Sequence, residues 1–342
     1  ATLIKEEPLI ANKIDNYLAQ YSPDGKKIAF IEGRRTLKIR DVKSKKEVTL
    51  LTPKDLFHMR DGDKYFTWSP DSKWLLVDWS KTLSNSEVLL MAADGSKRVN
   101  LNESGYYDSS PKWVNDGKQM IWFSNRNGLK SYATSGRSQS DVYSMSFAQD
   151  AWDEFNLSDE DYKLMEAIKE LEKKNKEKAK KEKNKGAKKE TDTLDKDKKK
   201  EVKLLTFDWD NMKERTKRLT IHSSRLGDAV LSKKGDKLYY LASFEGKSNL
   251  WSTDLRTKET KMLMKLDTGF GDLEWDAEKK NLYLLSGGKI TKLNPETAKS
   301  KGVVIKGEIE LDAYAERKAM FDHVWIRTNA IFYHPDFHGI NW

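Results

Sequence analysis

The chain of 342 residues contains no cysteine. It can therefore form neither a disulfide nor a metal site built on thiolates, and a bacterial cytoplasm and a periplasm both tolerate that absence. No apolar run approaches 18 residues, so no segment is predicted to span a membrane. The chain begins Ala-Thr-Leu, without a methionine or a signal-peptide pattern, and we expect it to be a piece of a longer protein.

Net positive charge is small outside one segment, although the formal net charge of the chain is +9. Between Glu172 and Lys200 there are 14 lysines and 7 acidic residues, so this segment alone carries +7 and leaves +2 for the rest. The folded part is therefore predicted to be nearly neutral, with no basic face. We predict no nucleic-acid partner.

Catalytic signatures are also missing. Nucleophilic catalysis needs a Ser, Cys or Thr that is activated by a base, which a third group orients. The sequence has no Gly-x-Ser-x-Gly elbow, no Ser-His pair and no Gly-x-x-x-x-Gly-Lys-Ser phosphate loop. Its five histidines are His58, His222, His323, His334 and His338. We predict no catalytic residue and no cofactor in this chain.

Two short motifs resemble a catalytic pattern and a metal-binding pattern, but a chance match or a structural role explains them better. Ser286-Gly-Gly-Lys289 matches Ser-x-x-Lys inside a predicted hairpin, and we interpret the match as chance. The stretch His334-Pro-Asp336-Phe-His338 offers two imidazoles and one carboxylate on a turn, which is an incomplete ligand set for a metal. A structural role is therefore predicted for it, and no metal site.

A recurring hairpin organises the chain. Tyr21–Phe30 reads Tyr-Ser-Pro-Asp-Gly-Lys-Lys-Ile-Ala-Phe, and related stretches begin at Trp68, Trp113, Leu231 and Trp275. Proline presets φ, aspartate bonds its own backbone and glycine accepts a positive φ, so each stretch predicts a tight turn. The apolar run behind the turn suits a strand that is covered on both faces. The intervals between the anchors are 47, 45, 118 and 44 residues.

A period of about 40 to 50 residues with several short strands is typical of a β-propeller with four-stranded blades. We predict an all-β propeller over residues 1–311, with five or more blades, at about 12–53, 54–102, 103–220, 221–266 and 267–306. Ala1–Ile10 could add the outer strand of a blade that lies upstream. The alternative is a β-sandwich of unrelated hairpins.

The third blade is interrupted by a charged insertion at about 148–202. Ser158 is predicted to cap a helix with an apolar stripe of Leu164, Ile168 and Leu171, beyond which the lysine-rich sequence is either a solvated helix or disordered. The insertion is either a tolerated surface feature or a docking arm. Strands are predicted to restart at Val202–Asp208 and Arg215–Thr220.

A polar loop, Ser124–Gln139, precedes the insertion and includes Arg126 and Arg137. Loops beside a rigid sheet often carry ligand contacts, although many are simply solvated. After the fifth blade, Glu308–Leu311 is predicted to be a final strand. Ala315–Phe332 has helical spacing, so residues 312–342 are predicted to be a linker and the first helix of another domain.

The tail carries a family resemblance. It contains Glu316-Arg317, then Phe321-Asp322-x-x-Trp325, then Phe332-Tyr333-x-Pro-x-x-His338-Gly339-x-x-Trp342. This pattern resembles the linker and opening helix of the first core domain of tricorn-type serine proteases. The blades before it look like the second propeller of that family, which has seven blades.

The resemblance implies a large endopeptidase that cuts oligopeptides, with two propellers that pass substrate and product, a PDZ domain and two core domains. It places the nucleophilic serine and the oxyanion-hole donor in the second core domain and the general-base histidine later in the first, and none of these positions is in this chain. The implied partners are oligopeptides and the missing core and PDZ domains, with a homo-oligomer also allowed. Relatives with such an insertion are often exported, so a periplasmic location is expected, with the cytoplasm as the alternative.

A second interpretation of function stays open at this point. The Ser-Pro-Asp-Gly hairpins also occur in many periplasmic propellers, which resemble TolB. The chain could then be a free-standing propeller that acts as a protein-interaction or ligand-binding scaffold.

Overall fold

A computed structural model of the chain describes residues 8–55, 65–82, 85–131, 138–184, 203–244, 246–308, 310–334 and 336–342. In these ranges it has five four-stranded antiparallel sheets and three α-helices. Each sheet contains four consecutive strands in spatial order. The predicted outer strand near Ala1–Ile10 falls mostly outside the described residues.

The strands of the first two sheets are β1 (Asn16–Tyr21), β2 (Lys27–Glu32), β3 (Thr36–Asp41), β4 (Glu47–Leu51), β5 (Phe66–Trp68), β6 (Trp74–Thr82), β7 (Asn85–Ala92) and β8 (Arg98–Asn100). Those of the third are β9 (Asp108–Val114), β10 (Gln119–Ser124), β11 (Asp141–Ser146) and β12 (Thr216–Arg218). Those of the fourth and fifth are β13 (Arg225–Leu231), β14 (Lys237–Ser243), β15 (Ser248–Asp254), β16 (Thr260–Thr268), β17 (Gly271–Trp275), β18 (Leu282–Ser286), β19 (Lys289–Asn294) and β20 (Lys299–Val303). The helices are α1 (Gln149–Asn156), α2 (Asp159–Asn184) and α3 (Ala313–Ile331).

The repeated hairpin joins the first two strands of every sheet, and its side chains explain why the motif recurs. Ser22 Oγ donates to Asp24 Oδ1 at 2.7 Å and accepts the N–H of Lys27 at 2.9 Å. Ser69 repeats this pattern with Asp71 and Trp74, at 2.6 and 2.9 Å. The serine and aspartate thus satisfy backbone groups that the turn leaves without a partner.

The tryptophans of the repeat fasten each sheet to the one before it. In three of the sheets the indole Nε1 donates to a carbonyl oxygen at the end of the preceding first strand. The pairs are Trp68 with Gln20 at 3.2 Å, Trp113 with Thr67 at 3.2 Å, and Trp275 with Leu231 at 2.8 Å. The aromatic anchor is therefore a joint between sheets and does more than fill the core.

Four buried apolar clusters lie between consecutive sheets. In the first, Ile31 and Leu37 pack with Leu75 and Val77, and the other three clusters repeat this for the following pairs of sheets. Among the described residues, no cluster combines the first sheet with the fifth. Sheets that stack face to face in chain order are the blades of a propeller, so the predicted fold class is confirmed and the sandwich alternative is wrong.

The insertion leaves the third sheet after β11 and returns along a return segment, residues 203–209. The ring of Phe207 lies 4.9 Å from that of Trp74 and 5.2 Å from that of Phe147. The Leu205 N–H donates to Asp71 Oδ2 at 3.0 Å. The predicted strand at Val202–Asp208 is wrong, because the described part of this extended segment is held mainly by side chains and joins no sheet.

Helix α2 begins as the sequence predicts. The Asp161 N–H donates to Ser158 Oγ at 3.1 Å, which confirms the cap. The Arg256 guanidinium lies 3.6 Å from the Tyr162 ring and donates to the Leu157 carbonyl at 2.8 Å. These contacts dock the start of α2 on the fourth sheet. Helix α1, which precedes it, was not predicted.

The C-terminal segment forms the predicted helix and folds its tail back. Asp312 caps α3 by accepting two backbone N–H groups at 3.0 Å. The Trp342 ring stacks on that of Trp325 at 4.5 Å. The predicted strand at Glu308–Leu311 is wrong, because its described residues join no sheet. None of the described helices is long and apolar enough to cross a bilayer.

Candidate functional site

The first strands of several sheets lie side by side. Strand β9 contacts β5, and β17 contacts β13, so strands from neighbouring sheets meet at the inner edge of the fold. In a propeller this edge surrounds the axis. We call the polar residues here the axial cluster: Tyr65, Asp78, Lys112, Asp228, Asp272 and Glu274.

Asp228 is the buried hub of the axial cluster, with 4% of its surface exposed. Lys112 Nζ donates to its two carboxylate oxygens at 2.7 and 2.6 Å. Its Oδ2 also accepts the Leu273 N–H at 2.6 Å, and its Oδ1 accepts the Ala229 N–H at 2.8 Å. The pair therefore joins the third, fourth and fifth sheets, and the added hydrogen bonds offset the cost of burying the Asp228 carboxylate.

Asp78 makes the corresponding link between the second and third sheets. Its Oδ1 accepts the Ser110 N–H at 2.9 Å. Ser110 has φ of 53°, in the left-handed region, where β9 and β10 shift register. The irregularity turns the Ser110 N–H towards the neighbouring sheet.

The pKa of Tyr65 reflects the negative charge of the axial cluster. Tyr65 is 38% exposed, and partial desolvation raises the pKa of the phenol, as do the carboxylates of Asp228, Asp78, Glu274 and Asp272. Carboxylates from three different sheets thus act on one hydroxyl group. The axial cluster has four carboxylates and one ammonium group, which makes its lining negative and attractive to cations.

The elevated pKa of Tyr65 predicts a loss of stability in alkali. Above about pH 10 the unfolded chain loses this phenolic proton while the native protein keeps it, so the stabilisation present below that pH is lost as pH rises. For Tyr65→Phe we expect the free energy of unfolding to fall less steeply between about pH 10 and 12. Urea denaturation at stepped pH measures this, with the exposed Tyr21→Phe as control. Equal slopes for Tyr65→Phe and the wild type would contradict the prediction.

The motifs discussed from the sequence have structural roles. Ser286 Oγ donates to the Phe270 carbonyl at 2.8 Å and bonds Thr268 Oγ1 at 2.7 Å, so it holds the end of β18 to the connection between β16 and β17. The His338 ring stacks on that of His334 at 4.1 Å in the tail. In the part of the chain that the structure describes, no group of three or more His, Cys, Asp or Glu side chains is arranged to hold a metal.

The polar loop places one of its arginines against aromatic rings. The Arg126 guanidinium lies 4.7 Å from the Tyr143 ring and 5.8 Å from the Tyr106 ring. Arg137 and His58 lie outside the described residues. The sequence analysis did not identify the axial cluster, because its members lie in four different blades that are far apart along the chain. The available signal was a charged residue directly before the apolar end of a first strand, as at Lys112 and Asp228.

The fold and the axial cluster define a class of protein, a β-propeller with an acidic axis and a C-terminal helical extension. Residues 313–342 match the family model described as the tricorn protease C1 domain. The fold is similar to the crystal structure of the tricorn protease, with a TM-score of 0.58 and 12% identity over 94% of this chain and 29% of that chain. The resemblance to tricorn-type proteases predicted from the tail is thus confirmed.

Other propellers are similar at lower scores. The crystal structure of TolB from Acinetobacter baumannii gives a TM-score of 0.46 at 15% identity, over 87% of this chain and 57% of that one. A putative TolB from Agrobacterium tumefaciens gives 0.48 at 12% identity, over 85% and 81%. No curated protein matches the sequence. The chain spans less than a third of the tricorn structure that it resembles.

Proposed function

We propose that this chain is the non-catalytic propeller portion of a tricorn-like serine endopeptidase, where it guides oligopeptides to or from the core domains. The observation that carries this proposal is the direct succession of a propeller and a C1-like segment. Strand β20 ends at Val303, and α3, which lies in the matched residues 313–342, begins at Ala313. A scaffold propeller has no need of this segment.

The axial cluster supports the guiding role. An unfolded peptide presents an α-ammonium group and cationic side chains, which a negative lining attracts and keeps hydrated. Asp272 and Glu274 are exposed, while Leu273 between them is buried in the interface between sheets. The strand β17 thus offers its charges to the open space and its apolar residue to the core.

Helix α3 supports attachment to further domains. Its apolar side chains are largely exposed, including Met320, Phe321, Val324 and Ile326. A surface of this kind is costly in water unless another element covers it. We propose that the remainder of a core domain covers it in the intact protein. A periplasmic location and a homo-oligomer belong to the same proposal, since they rest on the resemblance alone.

Serine-directed probes test the proposal. The intact gene product should hydrolyse short peptides and be labelled by a fluorophosphonate, whereas residues 1–342 alone should do neither. Labelling of the isolated chain, or an intact product without peptidase activity, would contradict it.

The guiding role has a separate test in the intact protein. Asp272→Asn with Glu274→Gln should raise KM for lysine-rich peptides several-fold at low salt and leave kcat unchanged. The reason is that the axial charges attract the incoming peptide and take no part in its cleavage. Glu259→Gln with Glu278→Gln, two exposed positions in turns, is the matched control. Equal KM values for the two double variants would rule out a guiding role of the axis.

A further inference from the structure

Helix α2 carries an aliphatic stripe that the sheets do not cover. Leu164, Ile168 and Leu171 follow at intervals of four and three residues, which places them on one side of a helix. Their exposed fractions are 62%, 48% and 59%. Three large aliphatic side chains in one row in water form a surface that is suited to an apolar contact.

The side of α2 that contacts the rest of the fold is not the side that carries the aliphatic stripe. Tyr162 packs against Arg256, and Glu166 Oε2 lies 3.9 Å from Lys234 Nζ on the fourth sheet. Lys169 Nζ bonds Glu154 Oε1 of α1 at 2.8 Å. These contacts hold the first three turns of the helix to the fold. The part of the helix that carries the stripe therefore has a fixed position.

Beyond the stripe the helix becomes strongly basic. Seven of the eleven residues from 173 to 183 are lysine and two are glutamate: the lysines are Lys173, Lys174, Lys176, Lys178, Lys180, Lys181 and Lys183. The helical backbone continues to Asn184 and has 26 residues. At 1.5 Å per residue it is roughly 39 Å long, so its basic half extends well past the docked turns.

We propose that α2 binds the surface of an anionic phospholipid membrane. Basic residues on a helix are attracted to anionic headgroups, and aliphatic residues on the same helix enter the boundary between headgroups and acyl chains. A nucleic acid would use the lysines but would leave the aliphatic stripe in water. The combination of the two features on one helix therefore favours a lipid surface.

The charge distribution of the whole chain agrees with membrane binding through α2. The segment from Glu172 to Lys200 carries +7 of the total +9, so the remainder is nearly neutral. Attraction to an anionic surface is therefore expected to act mainly on this segment. This inference does not depend on the proposed peptidase role.

Vesicle co-sedimentation of the full chain tests the proposal. The protein should sediment with vesicles of phosphatidylcholine and phosphatidylglycerol in about equal parts, remain soluble with phosphatidylcholine alone, and be released by salt. Leu164→Gln with Ile168→Gln and Leu171→Gln should weaken binding about ten-fold, and Lys173→Gln with Lys174→Gln, Lys176→Gln and Lys178→Gln at least ten-fold.

The controls separate the helix from general basicity. Lys43→Gln with Lys45→Gln and Lys46→Gln removes three exposed lysines from the β3–β4 turn and should leave vesicle binding unchanged. Circular dichroism melts should show that all variants fold. Absence of vesicle binding, equal binding to neutral vesicles, or binding of DNA or an acidic peptide that the stripe variant does not weaken would each overturn the proposal.

Discussion

Replacing Asp228 by alanine is expected to lower the free energy of unfolding by about 3–5 kcal/mol, because one partner of a buried ion pair is removed. Lys112, whose side chain is 24% exposed, would keep its charge without its carboxylate. The Leu273 N–H would lose an acceptor at 2.6 Å. Loss of the carboxylate would weaken the contacts among three sheets, since the carboxylate joins them.

Urea denaturation measures this effect. Asp272→Ala is the matched control, since it removes an exposed carboxylate one strand away and should change stability by less than about 0.5 kcal/mol. Lys112→Met should also be destabilising, because it leaves the more buried Asp228 carboxylate with only its two backbone donors. If Asp228→Ala were as mild as Asp272→Ala, the carboxylate would not be the link that the structure shows.

Phe207→Ala is the second change with a large expected effect, about 2–4 kcal/mol, because it removes a half-buried ring from an aromatic cluster. The ring contacts Trp74 of the second sheet, Phe147 of the third and Trp209 of the return segment. Its loss would detach the end of the insertion from two blades. Thermal and urea denaturation both report the change.

The control is a much larger alteration of the same insertion. Replacing Lys173–Lys200 by a short Gly-Ser linker should leave the melting temperature unchanged, since the contacts seen for the described residues of the insertion lie at its two ends. A fall of several degrees in that deletion would show that the lysine-rich part supports the fold. If Phe207→Ala left the stability unchanged, the return segment would not support the fold.

The hairpins were predictable because the chemistry that makes each turn is local. Ser22 and Asp24 satisfy their own turn, and Gly25 has φ of 70°, which glycine accepts at low cost. The weak copies at Leu231 and Trp275 form the same hairpins. A regular interval between such turns then leaves few folds other than a propeller.

The return segment shows where periodicity misleads. Leu205 and Phe207 contact the fold while their neighbours are exposed, which is the alternation of a strand. The segment is extended, but its described residues join no sheet. A period of two residues therefore predicts extension and one covered side, and says nothing about pairing.

The aliphatic stripe on α2 is a related case. The spacing of Leu164, Ile168 and Leu171 predicts one apolar side, and the structure confirms the helix but leaves that side exposed. The contacts that dock α2 come instead from Tyr162 and Arg256, which are distant in sequence. Spacing identifies a face, and only packing decides what covers it.

By itself the sequence determined the blade hairpins, the helix at the C-terminus and the likeness of its tail to tricorn-type proteases, because each depends on residues within a few positions of one another. Only the tertiary structure decided that Lys112, Asp228 and Leu273 meet, and that Tyr65 faces carboxylates from three sheets. The physical reason is that electrostatic and hydrogen-bonding partners are chosen by proximity in space. In this propeller, the axis brings together residues that are 32 positions apart, as for Asp78 and Ser110, to 161 positions apart, as for Lys112 and Leu273.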